Sequence, residues 1–134
     1  MTEVKKTEKN SVEIIDYTGE SYRTAMSFGA WRVAYLNHGE IFYEETFERI
    51  ERHNETDEVF MLLEGDATLI IGKELNRIKM EQHKVYNIPK GVWHHIITTP
   101  GTRVFIVENA DTGLENSEYF SVKEKRILTR DEIK

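Results

Sequence analysis

The chain predicts an all-β fold, an antiparallel sandwich or barrel, and three features carry that reading. Short runs of alternating or wholly apolar residues recur along it, each bounded by Gly, Pro, Asn or Asp. No window sustains apolar residues at i, i+3, i+4 and i+7, so a helical alternative is poor. Seven or eight such short runs suit stacked antiparallel sheets rather than alternating helix and strand.

Taken in order, residues 1–10 read as a flexible tail ahead of the folded part. Trp31-Arg32-Val33-Ala34-Tyr35-Leu36 alternates and stops at the turn signal Asn37-His38-Gly39. Ile41-Phe42-Tyr43 opens the next run, which continues through Thr46, Phe47 and Ile50 toward His53. Val59 to Leu63 is an apolar strand closed by Glu64-Gly65-Asp66, and Ala67 to Ile71 follows, so those three residues read as a hairpin connection. Val85 to Ile88 leads into the turn Pro89-Lys90-Gly91. His94 to Thr99 is a strand stopped by Pro100-Gly101, and Arg103 to Glu108 is another. Thr129-Arg130-Asp131-Glu132 has the pattern of a helix cap. There is no internal repeat and no linker, which predicts one domain over 1–134 with its core at about 28–110.

Bulk composition narrows the function classes. At 134 residues, 39% hydrophobic and 31% charged, the chain can bury a core and is not disordered. A net charge of −6 argues against nucleic acid or an anionic membrane as partner. Met1 to Asn10 is lysine-rich without an apolar stretch, unlike a signal peptide. No apolar run approaches the roughly 20 residues of a membrane helix. A cytoplasmic protein is the expectation. The absence of cysteine leaves only nitrogen and oxygen ligands for any metal.

Such ligands cluster in two segments. In Glu51-Arg52-His53, the first and third residues share a strand face. The residues from His53 to Glu58 let the chain turn and return on an adjacent strand with Glu58 facing inward; Phe60 and Leu62 keep step with it. His94 arrives from a separate segment, after the fixed φ of Pro89 and the permissive Gly91. Imidazole and carboxylate converging from different strands is how a β-fold builds a first-row transition-metal site.

These two segments resemble the paired motifs of the cupin superfamily, in its small single-domain members. The first motif reads Glu51-x-His53, four residues, Glu58, six residues, Gly65. The second reads Pro89-x-Gly91-x-x-His94, with His83 where the family carries its opening glycine. The resemblance covers about 28–110. It implies a double-stranded β-helix, or jelly-roll barrel, and a divalent metal (Zn, Mn, Fe or Ni) held by His53, Glu58, His94 and Glu51. Glu51 departs from the family, standing where the first histidine belongs. A second carboxylate hardens the ligand set toward Mn, Fe(II) or Zn and away from copper, or marks a pocket that has lost its metal.

The remaining polar residues have plainer readings. His38 and His83 read as polar residues with partners, and His95, next to His94, faces the other way. Trp93 either walls the pocket mouth or packs. Three function classes stay open: a metal-dependent enzyme acting on a small polar acid or sugar derivative, a non-catalytic small-ligand or metal-binding module, and a barrel with a vestigial site. Tyr43, Arg49, Tyr86 and Glu108 are candidates for an acid or base beyond the ligands. Edge strands need cover; Val12 to Tyr22 and the tail from Glu118 are candidates for it. With the family resemblance, this predicts a homodimer.

Overall fold

In a computed structural model, which describes residues 3–133, thirteen strands form two facing antiparallel sheets and a separate hairpin. The hairpin pairs β1 (Lys5–Lys9) with β2 (Val12–Asp16). β3 (Ser21–Phe28), β4 (Trp31–Asn37), β11 (Arg103–Asn109), β6 (Glu58–Glu64) and β9 (Val85–Ile88) lie side by side in that order in one sheet. The other runs β13 (Arg126–Ile127), β12 (Ser117–Ser121), β5 (Arg49–His53), β10 (His94–Thr98), β7 (Ala67–Ile71) and β8 (Asn76–Lys79). Successive strands from β5 to β10 switch between the sheets wherever they do not form a local pair, as in a jelly roll.

Period-two alternation explains why the sheets face one another. Glu58, Phe60 and Leu62 of β6 are buried, while Val59, Met61 and Leu63 between them are less so. The inward residues join Ala34 and Leu36 of β4, Val104 and Ile106 of β11, Leu69 of β7 and Ile96 of β10 in the main apolar core. A second cluster of Ile50, Ile70, Trp93, Ile97 and Phe120 covers the other face of the six-stranded sheet. Trp93 therefore packs, 5.7 Å from the Phe120 ring with Arg52 over its face.

Several expectations need correction. Within the supposed tail, Lys5–Lys9 is a strand, because Asn10 and Ser11 both take positive φ and close a tight turn onto β2; Met1 and Thr2 lie outside the described residues. Ile41 and Phe42 belong to a 3-10 turn, Glu40–Phe42, and the strand starts only at Arg49. Glu64-Gly65-Asp66 is no hairpin: β6 and β7 lie in different sheets, and the chain crosses between them. Gly65 has φ +88, and a Cβ there would stand 2.5 Å from Thr102 Cα. The folded body also exceeds 28–110, since β3 begins at Ser21 and β12 pairs along the whole of β5. The cap pattern at Thr129 does form, with its amide donating to Glu132 Oε1 at 2.8 Å ahead of the helical turn Arg130–Ile133.

His83 sits in left-handed backbone. Its φ is +67, a conformation costly for most side chains and one in which histidine is enriched.

No helix among the described residues is long and apolar enough to cross a membrane.

Candidate functional site

β5 carries Arg49, Glu51 and His53 on one face by strand alternation. On one side β12 sets Tyr119 opposite Glu51 and Ser117 opposite His53. On the other, β10 sets His94 opposite Glu51. Glu58 opens β6 in the facing sheet, not on a strand adjacent to β5 as the sequence suggested. The effect is to close the cluster across the sandwich. Glu51, His53, Glu58 and His94 thus come together on the wall of a cavity of about 970 Å³.

Glu58 Oε1 is the hub. It lies 3.1 Å from His53 Nε2 and 3.0 Å from His94 Nε2, and Glu51 Oε2 lies 3.4 Å from His53 Nε2. The other ring nitrogens are tethered outside the cluster: His94 Nδ1 donates to the Val92 carbonyl at 3.0 Å, and His53 Nδ1 meets Ser117 Oγ at 2.7 Å. A carbonyl only accepts, so His94 Nδ1 carries a hydrogen and its Nε2 is the face offered to the cluster. Anchoring Nδ1 in this way orients a metal-binding imidazole.

Electrostatics bind the cluster tightly. Burial alone would depress both imidazoles, but the Glu58 hydrogen bonds and the charges of Glu58 and Glu51 outweigh it and raise both pKa values. Burial would raise Glu58, yet the two histidines hold it well below the usual carboxylate range. Glu51 is pushed up, first by loss of solvent and then by the like charge of Glu58, against the pull of His94 and His53. Tyr119 beside it is pushed up to about 12 by burial and the Glu51 charge.

The donor set fits a divalent ion. Donors at about 2.0–2.2 Å from one centre stand about 3.0 Å apart at right angles and about 3.4 Å at tetrahedral angles. The contacts of 3.1, 3.0 and 3.4 Å match those separations. Two imidazoles with carboxylates are the ligand chemistry of first-row metals.

A second constellation borders the same cavity. Glu108, 5% exposed on β11, accepts at Oε2 from Tyr22 Oη (2.5 Å), Arg32 Nε (3.0 Å) and Arg32 Nη2 (2.7 Å). Arg32 is braced by the carbonyls of Ala110 and Thr112, both at 3.1 Å. Burial and the charge of Glu58 push the Glu108 carboxyl up against these donors, and burial beside Glu108 raises the Tyr22 hydroxyl.

Among the acid–base candidates, then, Glu108 and Arg49 line the cavity. Tyr43 is 39% exposed and edge-on to His38, and the Tyr86 hydroxyl accepts from the Glu81 amide at 2.9 Å, away from the cluster. His38 has its partner, Thr98 Oγ1 at 2.7 Å. His95 stacks on Phe47 at 4.9 Å and also lines the cavity. Tyr22, Arg32, Ser117 and Tyr119 were not anticipated. The alternation Ser117-x-Tyr119 was a usable signal for the last two. Nothing local marks Tyr22 or Arg32, whose partner is 86 and 76 residues away.

Comparison with solved structures gives the cupin fold. A cupin-2 domain protein from Shewanella frigidimarina superposes with TM-score 0.51 and 21% identity, over 69% of this chain and 83% of that one. Streptomyces Pac13, solved with uridine and described as a nucleoside dehydratase, matches with TM-score 0.57 and 8% identity over 96% of this chain and 89% of its own. The Fe(II) protein HppE matches with TM-score 0.54 and 13% identity over 81% of this chain and 56% of its own. No family model and no curated protein matches the sequence.

Proposed function

We propose that Glu51, His53, Glu58 and His94 hold one divalent metal ion and that the protein acts on, or binds, a small polar molecule in the adjoining cavity. The observation that carries this reading is the aim of both Nε2 atoms at Glu58 Oε1 while both Nδ1 atoms are tethered elsewhere. When bound, the ion supplies Lewis acidity and a water of lowered pKa. Ser117 and the Val92 carbonyl fix the imidazole planes, and the facing sheets bury His53, Glu58 and His94.

The walls favour a neutral, hydroxyl-bearing molecule such as a sugar derivative over a small acid. Seven glutamates line the cavity against two arginines, and one of these, Arg32, is spent on Glu108. A negative wall draws cations in and keeps anions out. The uridine-bound Pac13 structure, alike over most of this chain, supports the same class. Elemental analysis of protein purified without added metal tests the centre: a stoichiometric first-row metal, lost in His53→Ala, is expected. A parent that retains none, even after reloading, ends the reading. Turnover of a hydroxylated ligand separates an enzyme from a binding module.

A homodimer is part of the reading. The β1–β2 hairpin is exposed along nearly its whole length, with Val12 at 61% and Ile14 at 51%. An isolated hairpin is at best marginally stable in water, and a second copy of this chain would cover it. Sedimentation should give a dimer for the parent and a monomer once residues 1–16 are removed.

A further inference from the structure

We infer that Glu108 is a third carboxylate donor to the same metal ion, so that the centre is oxygen-rich and selects a hard divalent cation such as Mn(II) over Zn(II). The inference rests on the metal-binding reading above and adds a residue that lies outside both sequence motifs.

Two donor triads are present, and they share a residue. Glu51, His53 and His94 each bring a ligand atom within 4.8 Å of the others, and so do His53, Glu58 and Glu108, the second triad wholly buried. Both triads include His53, and we read them as one centre rather than two. Glu58 Oε1, in contact with both histidines, ties the triads together. Glu108 thus closes the site from β11, beside β6 in the sheet facing β5 and β10.

Its side chain is prepared for that role. Three donated hydrogen bonds converge on Oε2, from Tyr22 and from two nitrogens of Arg32. They fix the carboxylate plane and leave Oε1 with its lone pairs. Outer donors that lock a ligating carboxylate are the usual support of a metal site. Arg32 already pairs the Glu108 charge, and a shared cation would offset what remains of its repulsion with Glu58. With Glu51, Glu58 and Glu108 against two imidazoles, oxygen donors outnumber nitrogen. Manganese accepts such a set at higher coordination number, whereas zinc is satisfied by four N/O ligands.

The test measures Mn(II) and Zn(II) affinities by competition with a chelator, for the parent and for Glu108→Gln, Glu108→Asp and Arg32→Lys. Glu108→Gln should lose at least about tenfold in Mn(II) affinity and less in Zn(II), moving the ratio toward zinc. Glu108→Asp keeps the charge but withdraws the oxygen by a methylene, so it should move the ratio the same way. Arg32→Lys, which gives up the forked clamp, should fall between it and the parent. The Mn(II) electron paramagnetic resonance spectrum should also change between parent and Glu108→Gln. A general loss of structure would weaken both metals alike, and a far-ultraviolet spectrum unlike the parent's identifies it, so the ratio is read on variants that keep the parent's spectrum. A parent that binds metal while Glu108→Gln and Glu108→Asp both keep its Mn/Zn ratio overturns this inference alone. A parent that binds neither metal overturns the centre itself.

Discussion

His94 and Glu51 stand directly opposite one another where β10 pairs with β5. The pairing ties the second motif to the first through backbone register. It carries the carboxylate of Glu51 to the flank of His94 and, two residues on, the imidazole of His53 to the hub at Glu58. Cross-strand partners lie about 4.5–5.5 Å apart at Cβ, so a long side chain at position 51 reaches the centre.

Glu51→His is therefore expected to keep a metal and to shift its preference toward Zn or Cu, because imidazole is softer than carboxylate. Glu51→Ala should weaken retention by less than His53→Ala. Competition affinities for the three variants check this. Identical metal content and preference in the parent, Glu51→His and Glu51→Ala would make Glu51 a bystander charge.

Ser117→Ala removes the anchor on His53 Nδ1 without touching a donor atom. Metal affinity should drop by roughly 10–100-fold, the usual cost of losing an outer hydrogen bond. Ser117→Thr, which restores a hydroxyl, should recover part of it. An unchanged affinity in Ser117→Ala would mean that strand register alone orients the ring.

His95 gives a pH signature of stability. Burial, helped by the charges of His94 and Arg49, holds its pKa down to about 4 from an ordinary value near 6.5. Between those values the unfolded chain takes a proton that the folded one refuses. The contribution is therefore complete above about pH 6.5 and is lost as pH falls toward 4. At most roughly 3 kcal/mol is involved. Urea unfolding of the parent and His95→Gln at pH 7.5, 5.5 and 4.5 measures it: the parent should lose more stability on acidification than the variant. Parallel losses would show that His95 protonates freely.

Gly65→Ala should destabilise the fold by roughly 2 kcal/mol or more. A Cβ at φ +88 is strained in itself, and here it would also meet the Thr102 backbone at 2.5 Å. Gly91→Ala is the control, since nothing lies within 4 Å of a Cβ at that position. It should cost less, from its positive φ alone. Chemical denaturation of the two variants compares them.

The apolar strands were legible because their signal is local. Alternation and turn residues mark β4, β6, β10 and β11 almost to the residue. The polar, exposed strands β1, β8 and β13 carry no such pattern, and their burial strings are uniform. The link through Gly65 carries no such signal, because a tight glycine turn looks alike whether the chain returns in the same sheet or crosses to the other.

For the site, strand alternation determined that Glu51 and His53 share a face, and the resemblance of the two segments to the paired cupin motifs grouped Glu58 and His94 with them. Only the tertiary structure decided that Glu58 answers the histidines from the opposite sheet and that Tyr22 and Arg32 clamp Glu108 beside them. The contacts of Arg32 and Tyr22 with Glu108 join positions 76 and 86 residues apart. They depend on which strands become neighbours when two sheets bury their apolar faces, a global choice that leaves no periodic trace around Tyr22 or Arg32.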